Sequence, residues 1–265
     1  MMRTPPAVLV LEHELLKYRR GFRGTIVSSF LNPVLYLAAM GIGLGGYVAS
    51  SKAGAAGSAG LLGGVSYLAF LAPGLLASTA MQVAAGESTF PIMGGILWDR
   101  AFLGMLATPI RVVDILGGKL LYITLRLTLA TCVFFGVMTA FGAGGGPLAI
   151  LAIPAAILTG LAFVTPIIAY SASQKDPGGF NGLFRFGVIP LFLFSGTFFP
   201  VSQLPGLLQP VAFATPLWHG VDLCRTLALG TATPAGVLVH VAYLVGFASV
   251  GLLLASVALR RRLRP

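Results

Sequence analysis

Apolar residues are gathered into six long runs along the chain, and most polar residues lie between these runs. Each run is close to the roughly 20 residues that a helix needs to cross the hydrocarbon core of a bilayer. The pattern therefore predicts an all-α membrane protein with six transmembrane helices. The predicted spans are residues 25–46, 65–92, 119–141, 147–171, 181–200 and 236–259. Pro73 and Pro91 lie inside the second run, which predicts that this helix is kinked or broken.

The segment before the first run, residues 6–23, has a helical pattern of its own. Apolar residues recur at spacings of three and four, whereas charged residues occupy the remaining positions. This predicts an amphipathic helix that lies in the plane of the membrane interface. An N-terminal extension of the first spanning helix is the alternative. The candidate interfacial residues are Glu12, Glu14, Lys17, Arg19 and Arg20.

Two connections between runs differ from ordinary loops. Residues 93–118 are amphipathic, and the segment places Trp98 and Phe102 at helical spacing among charged residues. The charged residues of this segment are Asp99, Arg100, Arg111 and Asp114. Residues 201–230 are semi-apolar and interrupted by prolines, which predicts short helices that re-enter the membrane from one side.

Composition supports a membrane protein, because 57% of the residues are hydrophobic and only 9% are charged. An ordinary soluble domain is about 25% charged. The formal net charge is +10, but the basic residues cluster at the ends of apolar runs, which favours a lipid surface over nucleic acid as the partner. Given six spans, thirteen Lys and Arg residues fall on the side of the termini and two, Lys52 and Arg225, on the other. This asymmetry predicts cytoplasmic termini.

The polar residues form no pattern typical of catalysis. None of the seven acidic residues has metal-ligand spacing with histidine, and the sequence has no Walker-type Gly-Lys-Ser/Thr loop for ATP. We therefore expect no catalytic residue, cofactor or metal in this chain. Cys132 and Cys224 are far apart and give no disulfide framework.

A few polar or aromatic residues in or near the spans are candidates for the transport pathway or its gate. Glu87, Arg126 and Arg185 each have two interpretations, a pathway role or snorkelling to an interface, and a Glu87–Arg126 pair is one hypothesis. His219 and Asp222 are three positions apart in the re-entrant segment, and a local hydrogen bond is the simpler interpretation of that spacing. The aromatic candidates are Phe198 and Phe199.

Several motifs resemble those of ABC-2 type transporter permeases. They are LAFLAPGLLASTAM (68–81), ESTF (87–90), ILWDR (96–100), LATPI (106–110) and DILGGK (114–119). The stretch 193–230 is more specific, because it contains S-G-x-F-F-P from Ser195, then L-P, P-L-x-H and D-L-x-R. The resemblance extends over about residues 10–260 and is greatest to the branch of nodulation-factor lipo-oligosaccharide exporters and daunorubicin-type drug-resistance permeases.

The resemblance implies a function and a set of partners. It implies a six-helix subunit of an exporter in the bacterial inner membrane, paired with a second copy or a similar permease. Separate ABC nucleotide-binding subunits would bind ATP and Mg²⁺ on the cytoplasmic side. Residues 6–23 would be the interface helix, residues 93–118 the coupling segment, and residues 201–230 the external re-entrant segment. The substrate would be a hydrophobic or amphiphilic drug, lipid or lipid-linked oligosaccharide.

A secondary transporter and a membrane scaffold are the two alternatives to an ABC exporter. An ion-driven secondary transporter would typically have inverted repeats and buried acidic residues, and only Glu87 approaches that description. A membrane scaffold without transport would leave the amphipathic segment 93–118 without a purpose.

Overall fold

The structure, a computed structural model, describes residues 5–44 and 65–263, and it describes no side chains for residues 20–33, 40–42 and 44. Within these ranges every regular element is helical, which confirms the predicted all-α class. The helices are α1 (Pro6–Tyr36), α2 (Tyr67–Ser88), α3 (Phe90–Met93), α4 (Ala101–Leu106), α5 (Val112–Ala140), α6 (Ala152–Ser173), α7 (Gly178–Gly182), α8 (Ile189–Phe194), α9 (Gln209–Phe213), α10 (Pro216–Leu229) and α11 (Pro234–Leu263).

Several helices continue into turns of different pitch. Wider π-helical turns follow α1, α3 and α7, over Leu37–Leu44, Gly94–Trp98 and Leu183–Val188. Short 3-10 turns lie at Ala149–Leu151, directly before α6, and at Val201–Gln203. Residues 45–46 of the first predicted span lie outside the described residues, as do Lys52, Arg3 and Arg264 from the charge count.

Four of the described helical stretches are long and apolar enough to cross a membrane. They are Tyr67–Trp98, Val112–Ala140, Ala149–Ser173 and Pro234–Leu263, and they correspond to the second, third, fourth and sixth predicted spans. The fifth predicted span, 181–200, is helical only to Phe194 and belongs to a shorter apolar stretch, Gly178–Phe194. Its expected end at residue 200 is too late, because the chain leaves the helix at Ser195 for a turn in which Gly196 has φ +80°.

Helix α1 combines two segments that the pattern separates. It runs without interruption from Pro6 to Tyr36, so the backbone has no break near residue 24 between the predicted interfacial helix and the first predicted span. Val10 and Glu14 are buried, whereas Val8 and Leu15 are exposed. The buried side of α1 lies on α5, where a Cβ built at Gly118 would come within 2.7 Å of the Ala7 carbonyl oxygen. Only glycine permits so close an approach of the two helices.

The core lies around α2, which packs against α5, α6 and α10. Helix α6 in turn packs along α11, with Gly251 of α11 facing Pro166 of α6. Thr165 Oγ1 donates a hydrogen bond of 2.9 Å to the carbonyl oxygen of Ala248 across the same contact. Lipid tails are as apolar as the helices, so the hydrophobic effect does not drive membrane helices together. Small residues and interhelical hydrogen bonds commonly join such helices instead.

The chain between α2 and α5 is bent twice. Helix α2 ends at Thr89, which has φ −100° and ψ −95°, and Pro91 then begins a new turn. Arg100 follows with φ 49°, the only positive φ of a non-glycine residue among the described residues. The bend at Thr89 breaks the predicted second span, 65–92, near its end, as expected, and α4 follows the bend at Arg100. Helix α5 begins at Val112, so residues 112–118 belong to a long helix, although segment 93–118 was expected to extend to residue 118.

Candidate functional site: two polar clusters joined by helix α2

A buried ion pair joins α1 to α5. Lys119 Nζ lies 2.7 Å from Glu14 Oε2, with 4% of the lysine side chain and 9% of the glutamate side chain exposed. The ammonium group is also 5.8 Å from the ring centroids of both Phe102 and Tyr122. Two opposite charges so far from water stabilise a structure only as a pair, since either one alone would be buried without compensation. The pair therefore fixes the register of α1 against α5.

A second ion pair lies about two helical turns further along α5. Arg126 Nε donates a hydrogen bond of 2.9 Å to Glu87 Oε1 near the end of α2. Arg126 Nη1 donates to the Tyr18 hydroxyl at 3.0 Å, and the guanidinium carbon lies 4.7 Å from the centroid of the Tyr18 ring. The structure thus brings together the two residues of the hypothetical Glu87–Arg126 pair and adds a residue of α1 to it.

A third pair reaches segment 93–118. Lys17 Nζ donates a hydrogen bond to Asp99 Oδ2. This hydrogen bond and the positive charge of Lys17 hold the pKa of Asp99 below its ordinary value. Both side chains are about half exposed, at 59% and 50%, so we expect little stabilisation from the pair. Both residues also line an open cavity of about 450 Å³ between α1 and the start of α4.

Helix α1 contributes Glu14, Lys17 and Tyr18. Lys17 and Tyr18 are three and four positions after Glu14, so each lies beside Glu14 on one side of the helix. Each contacts a different partner group: Lys119, Asp99 and the Arg126–Glu87 pair. We call these side chains the α1 polar network. The network connects segment 93–118 to two of the candidate membrane spans.

The other candidate residues of segment 93–118 have separate roles. Trp98 is 57% exposed, whereas Phe102 is buried against Gly95. Asp114 caps α5, because its Oδ2 accepts hydrogen bonds from the Arg111 backbone N–H at 2.9 Å and from Arg111 Nε at 3.2 Å. An aspartate in the first turn of a helix also interacts favourably with the helix dipole.

The second polar cluster surrounds Arg225, near the other end of α2. The Arg225 guanidinium donates to the carbonyl oxygens of Phe70 at 3.1 Å and Gly196 at 2.7 Å, and it stacks 3.8 Å above the Phe70 ring. Ser78 and Thr197 share a buried hydrogen bond of 2.8 Å. Phe70 and Glu87 are 17 positions apart on α2, about 25 Å along the helix axis. The two clusters are therefore at opposite ends of the central helix.

A chain of three polar side chains joins α10 to α11 beside the Arg225 cluster. His240 Nε2 lies 3.1 Å from Asp222 Oδ2, and His240 Nδ1 lies 2.8 Å from His219 Nδ1. If neutral His240 donates Nε2–H to the carboxylate, its Nδ1 can accept a hydrogen bond from His219 Nδ1–H. The Tyr243 ring stacks on the His219 ring at a centroid distance of 3.8 Å. His219 and Asp222 are thus connected through His240 of the neighbouring helix.

Aromatic residues line an apolar cavity between α8 and segment 201–230. The cavity has a volume of about 380 Å³, and its walls include Phe186, Phe194, Leu208 and Thr215. Phe198 is half-buried and packs edge-on against Phe192 at 5.0 Å, and Phe199 is also half-buried. Neither Phe198 nor Phe199 is among the residues that line this cavity.

Some candidate residues lie outside both clusters. Glu12, Arg19 and Arg185 are exposed, and the side chain of Arg20 lies outside the described residues. In the described part of the chain, no group of three or more His, Cys, Asp or Glu residues could hold a metal ion.

Several side chains of these clusters were not predicted as site residues from the sequence. They include Tyr18, Lys119, Arg225 and His240. The spacing of Glu14, Lys17 and Tyr18 on one helix face was a local signal for the first cluster. No local signal indicates which partner helix faces them.

The sequence of the chain matches a known protein family and several individual proteins. Residues 7–229 match the family model described as ABC-2 type transporter. The chain is 32% identical over 255 residues to nodulation protein J of Rhizobium leguminosarum bv. viciae, covering 96% of this chain and 93% of that protein. It is 30% identical over 262 residues to nodulation protein J of Rhizobium meliloti (strain 1021), covering 97% and 94%.

A drug-resistance permease also matches part of the chain. The daunorubicin resistance ABC transporter permease protein DrrB1 of Streptomyces coeruleorubidus is 30% identical over 171 residues, which is 63% of this chain and 59% of that protein.

Proposed function

The chain belongs to the ABC-2 type transporter family, and from that premise we propose that it is the membrane subunit of an ATP-driven exporter. The observation that carries the proposal is the family match over residues 7–229, which includes all residues of the α1 polar network. The chain itself would hydrolyse no ATP. A separate ABC nucleotide-binding subunit would bind ATP and Mg²⁺.

The proposed topology has six spans in a bacterial inner membrane, with both termini in the cytoplasm. The four long apolar helices support four of the spans. Helix α1 with its π-helical extension would supply the first span, and the stretch Gly178–Phe194 the fifth. The first turns of α1, including Glu12 and Arg19, would lie at the interface as the family's interface helix does. The excess of Lys and Arg residues on the side of the termini supports this orientation.

Segment 93–118 is the proposed contact with the ATPase. Its position between two candidate spans supports the proposal, and so does the exposed Trp98 beside Asp99. Force applied to α4 would reach α1 through the Lys17–Asp99 pair. Helix α1 would pass it to α5 and α2 through Glu14 and Tyr18, since those residues contact Lys119 and the Arg126–Glu87 pair. Glu87 and Arg126 would act as a gate that changes partners between two states.

The Arg225 cluster would hold the external end of the pathway closed. The Arg225 guanidinium ties the re-entrant helix α10 to α2 and to the turn at Gly196, so movement of α2 would be transmitted to the exit. His219 and Asp222 would anchor the same helix to α11. The aromatic cavity beside α8 favours a hydrophobic or amphiphilic substrate. The daunorubicin resistance permease among the relatives supports a drug as one such substrate.

A complete transporter would contain two permease subunits, either two copies of this chain or this chain with a similar one. The exposed apolar side chains of α8 and α9, which include Leu193, Phe194 and Val211, would be covered by lipid or by the second subunit. An ion-driven mechanism is less well supported, because Glu87 is already paired with Arg126 and does not present a free carboxylate to an ion.

Co-purification with the ATPase tests the proposal. The chain would be co-expressed with a candidate ABC ATPase that carries a Walker motif, sought among the neighbouring genes, and the two would be purified through a tag on this chain. We expect the ATPase to co-purify with the wild-type chain and to be lost from the Asp99→Lys and Trp98→Ala variants.

The matched control is Lys175→Glu, a charge reversal at an exposed residue on the same proposed side of the membrane. It should retain the ATPase. Failure of the wild-type chain to retain any ATPase would contradict the proposed function, and retention by all variants would contradict the assignment of segment 93–118.

A further inference from the structure

Two arginine side chains from different parts of the chain converge on one cleft. Arg100 at the start of α4 and Arg262 in the last turn of α11 both line a cavity of about 280 Å³. The other walls are apolar: Ile96, Leu97, Leu103 and Leu263. We call this the Arg100–Arg262 cleft. It is separate from the cavity that Lys17 and Asp99 line.

No side-chain carboxylate neutralises the cleft. All seven Asp and Glu residues of the chain lie in the described ranges, and five of them pair with Lys17, Arg111, Lys119, Arg126 and His240. Asp99 is adjacent to Arg100 in sequence but pairs with Lys17 in the other cavity. Neither Glu12 nor Asp176 is among the residues that line the Arg100–Arg262 cleft. Two guanidinium groups that share a cleft repel each other unless an anion lies between them.

In the proposed membrane placement of α2 and α11, the Arg100–Arg262 cleft lies at the depth of the lipid phosphates. Helix α11 has 30 residues, about 45 Å, whereas the hydrocarbon core is about 30 Å thick, so its basic last turn extends into the headgroup region. Trp98, which ends the stretch Tyr67–Trp98 and is 57% exposed, gives an independent marker, because tryptophan is enriched at the headgroup level. Both candidate spans therefore end at the cleft, at the level of the membrane interface.

We propose that the Arg100–Arg262 cleft is a binding site for the phosphate headgroup of an anionic phospholipid. The two guanidinium groups would bind the phosphate oxygens, and the apolar walls would contact the glycerol and the first acyl carbons. A docked protein would be the other source of negative charge, but the half-buried position of Arg262 beside the end of a span favours lipid. The bound lipid would join α4 to α11, which no ion pair among the described residues does.

This inference rests on the proposed membrane placement of α2 and α11 and not on ATP coupling or on the substrate. Lipid binding is measured on the purified chain without an ATPase, so a negative result here leaves the co-purification result unaffected. A negative co-purification result likewise leaves lipid binding to be judged by itself.

Native mass spectrometry of the delipidated full-length chain tests the inference. The probes are phosphatidylglycerol, zwitterionic phosphatidylcholine and inorganic phosphate. We expect one tightly held phosphatidylglycerol per chain, with phosphatidylcholine bound at least tenfold more weakly. The double variant Arg100→Gln with Arg262→Gln should weaken phosphatidylglycerol binding about thirtyfold, from two lost charge contacts at the interface. Replacing both by lysine should restore most of the binding.

The matched control removes the same charge from the same helix end. Arg260 and Arg261 are exposed and do not line the cleft, so Arg260→Gln with Arg261→Gln should change the binding less than about threefold. Equal losses in both double variants would overturn the proposal in favour of diffuse attraction to basic residues. Displacement of the lipid by millimolar inorganic phosphate, or unchanged phosphatidylglycerol binding by the Arg100→Gln with Arg262→Gln variant, would also overturn it. Each variant should unfold at the same temperature as the wild type, which would show that it is folded.

Discussion

Removal of the buried ammonium group of Lys119 is the most informative perturbation of the α1 polar network. The Lys119→Met variant keeps a similar side-chain volume but leaves Glu14 buried and unpaired. With side-chain exposures of 4% and 9% and a separation of 2.7 Å, the pair meets the conditions under which loss of one partner costs about 3–5 kcal/mol. Glu14→Leu alone should cost a similar amount, because it leaves the lysine charge unpaired.

The double variant distinguishes a buried ion pair from a simple loss of packing. Replacing both partners, by Glu14→Leu with Lys119→Met, removes both charges at once, and such replacements are neutral or stabilising in other proteins. We expect the double variant to be within about 2 kcal/mol of the wild type. Lys17→Met is the comparison for an exposed pair. It should cost less than about 1 kcal/mol, because its pair with Asp99 is 59% and 50% exposed.

The assay is reversible unfolding of the purified chain in mixed micelles with increasing sodium dodecyl sulfate, followed by tryptophan fluorescence and circular dichroism. The free energies of the wild type, the two single variants and the double variant complete a double-mutant cycle for Glu14 and Lys119. The reasoning would be refuted if Lys119→Met cost no more than Lys17→Met, or if the double variant were as unstable as the sum of the two single variants.

Three further predictions address the helix contacts, the Arg225 cluster and the Asp99 carboxylate. Gly251→Ala should destabilise the chain by about 1–3 kcal/mol in the same assay, because a Cβ at this position would overlap α6. Gly246→Ala is the control and should be neutral or stabilising, because a Cβ at residue 246 would have no atom within 4 Å. Arg225→Met should lower stability by about 2–4 kcal/mol and increase substrate leak through vesicles, since it leaves two carbonyl oxygens without their donor. The pKa of the Asp99 carboxylate is lower in the folded chain than in the unfolded chain, so its ion pair contributes stability above the unfolded pKa. This stability is lost only as the pH falls through the pKa of Asp99 in the folded chain. ATPase retention should therefore be constant from pH 8 to about pH 5.

The long helices could be predicted from hydropathy because each needs only local information. The helix Val112–Ala140 covers the predicted span 119–141 except for its last residue and begins seven residues earlier. The helix Pro234–Leu263 contains the whole predicted span 236–259. The early start of α5 was missed because the sequence before residue 119 was interpreted as a continuation of the amphipathic segment. The Arg111–Asp114 cap was a local signal for that start, since it places an acidic residue three positions after the cap.

The clusters themselves could be predicted only in part, because they depend on which helices are neighbours. The Glu87–Arg126 pair could be proposed, since both are charges at membrane depth that need a partner. The Glu14–Lys119 pair could not, because its two residues are distant in sequence and each has ordinary surface interpretations. The link from Asp222 through His240 to His219 likewise depends on the packing of α10 against α11.

The central claim is that ATP hydrolysis in a partner subunit drives transport through segment 93–118. The most direct measurement is ATP-dependent transport by proteoliposomes that contain the chain, its ATPase and a fluorescent amphiphile, with the wild type compared to Trp98→Ala. We predict transport that requires ATP and is lost in Trp98→Ala while the variant remains inserted in the membrane. Transport that continues without ATP and follows an imposed ion gradient would contradict the account, as would full ATP-dependent transport by Trp98→Ala.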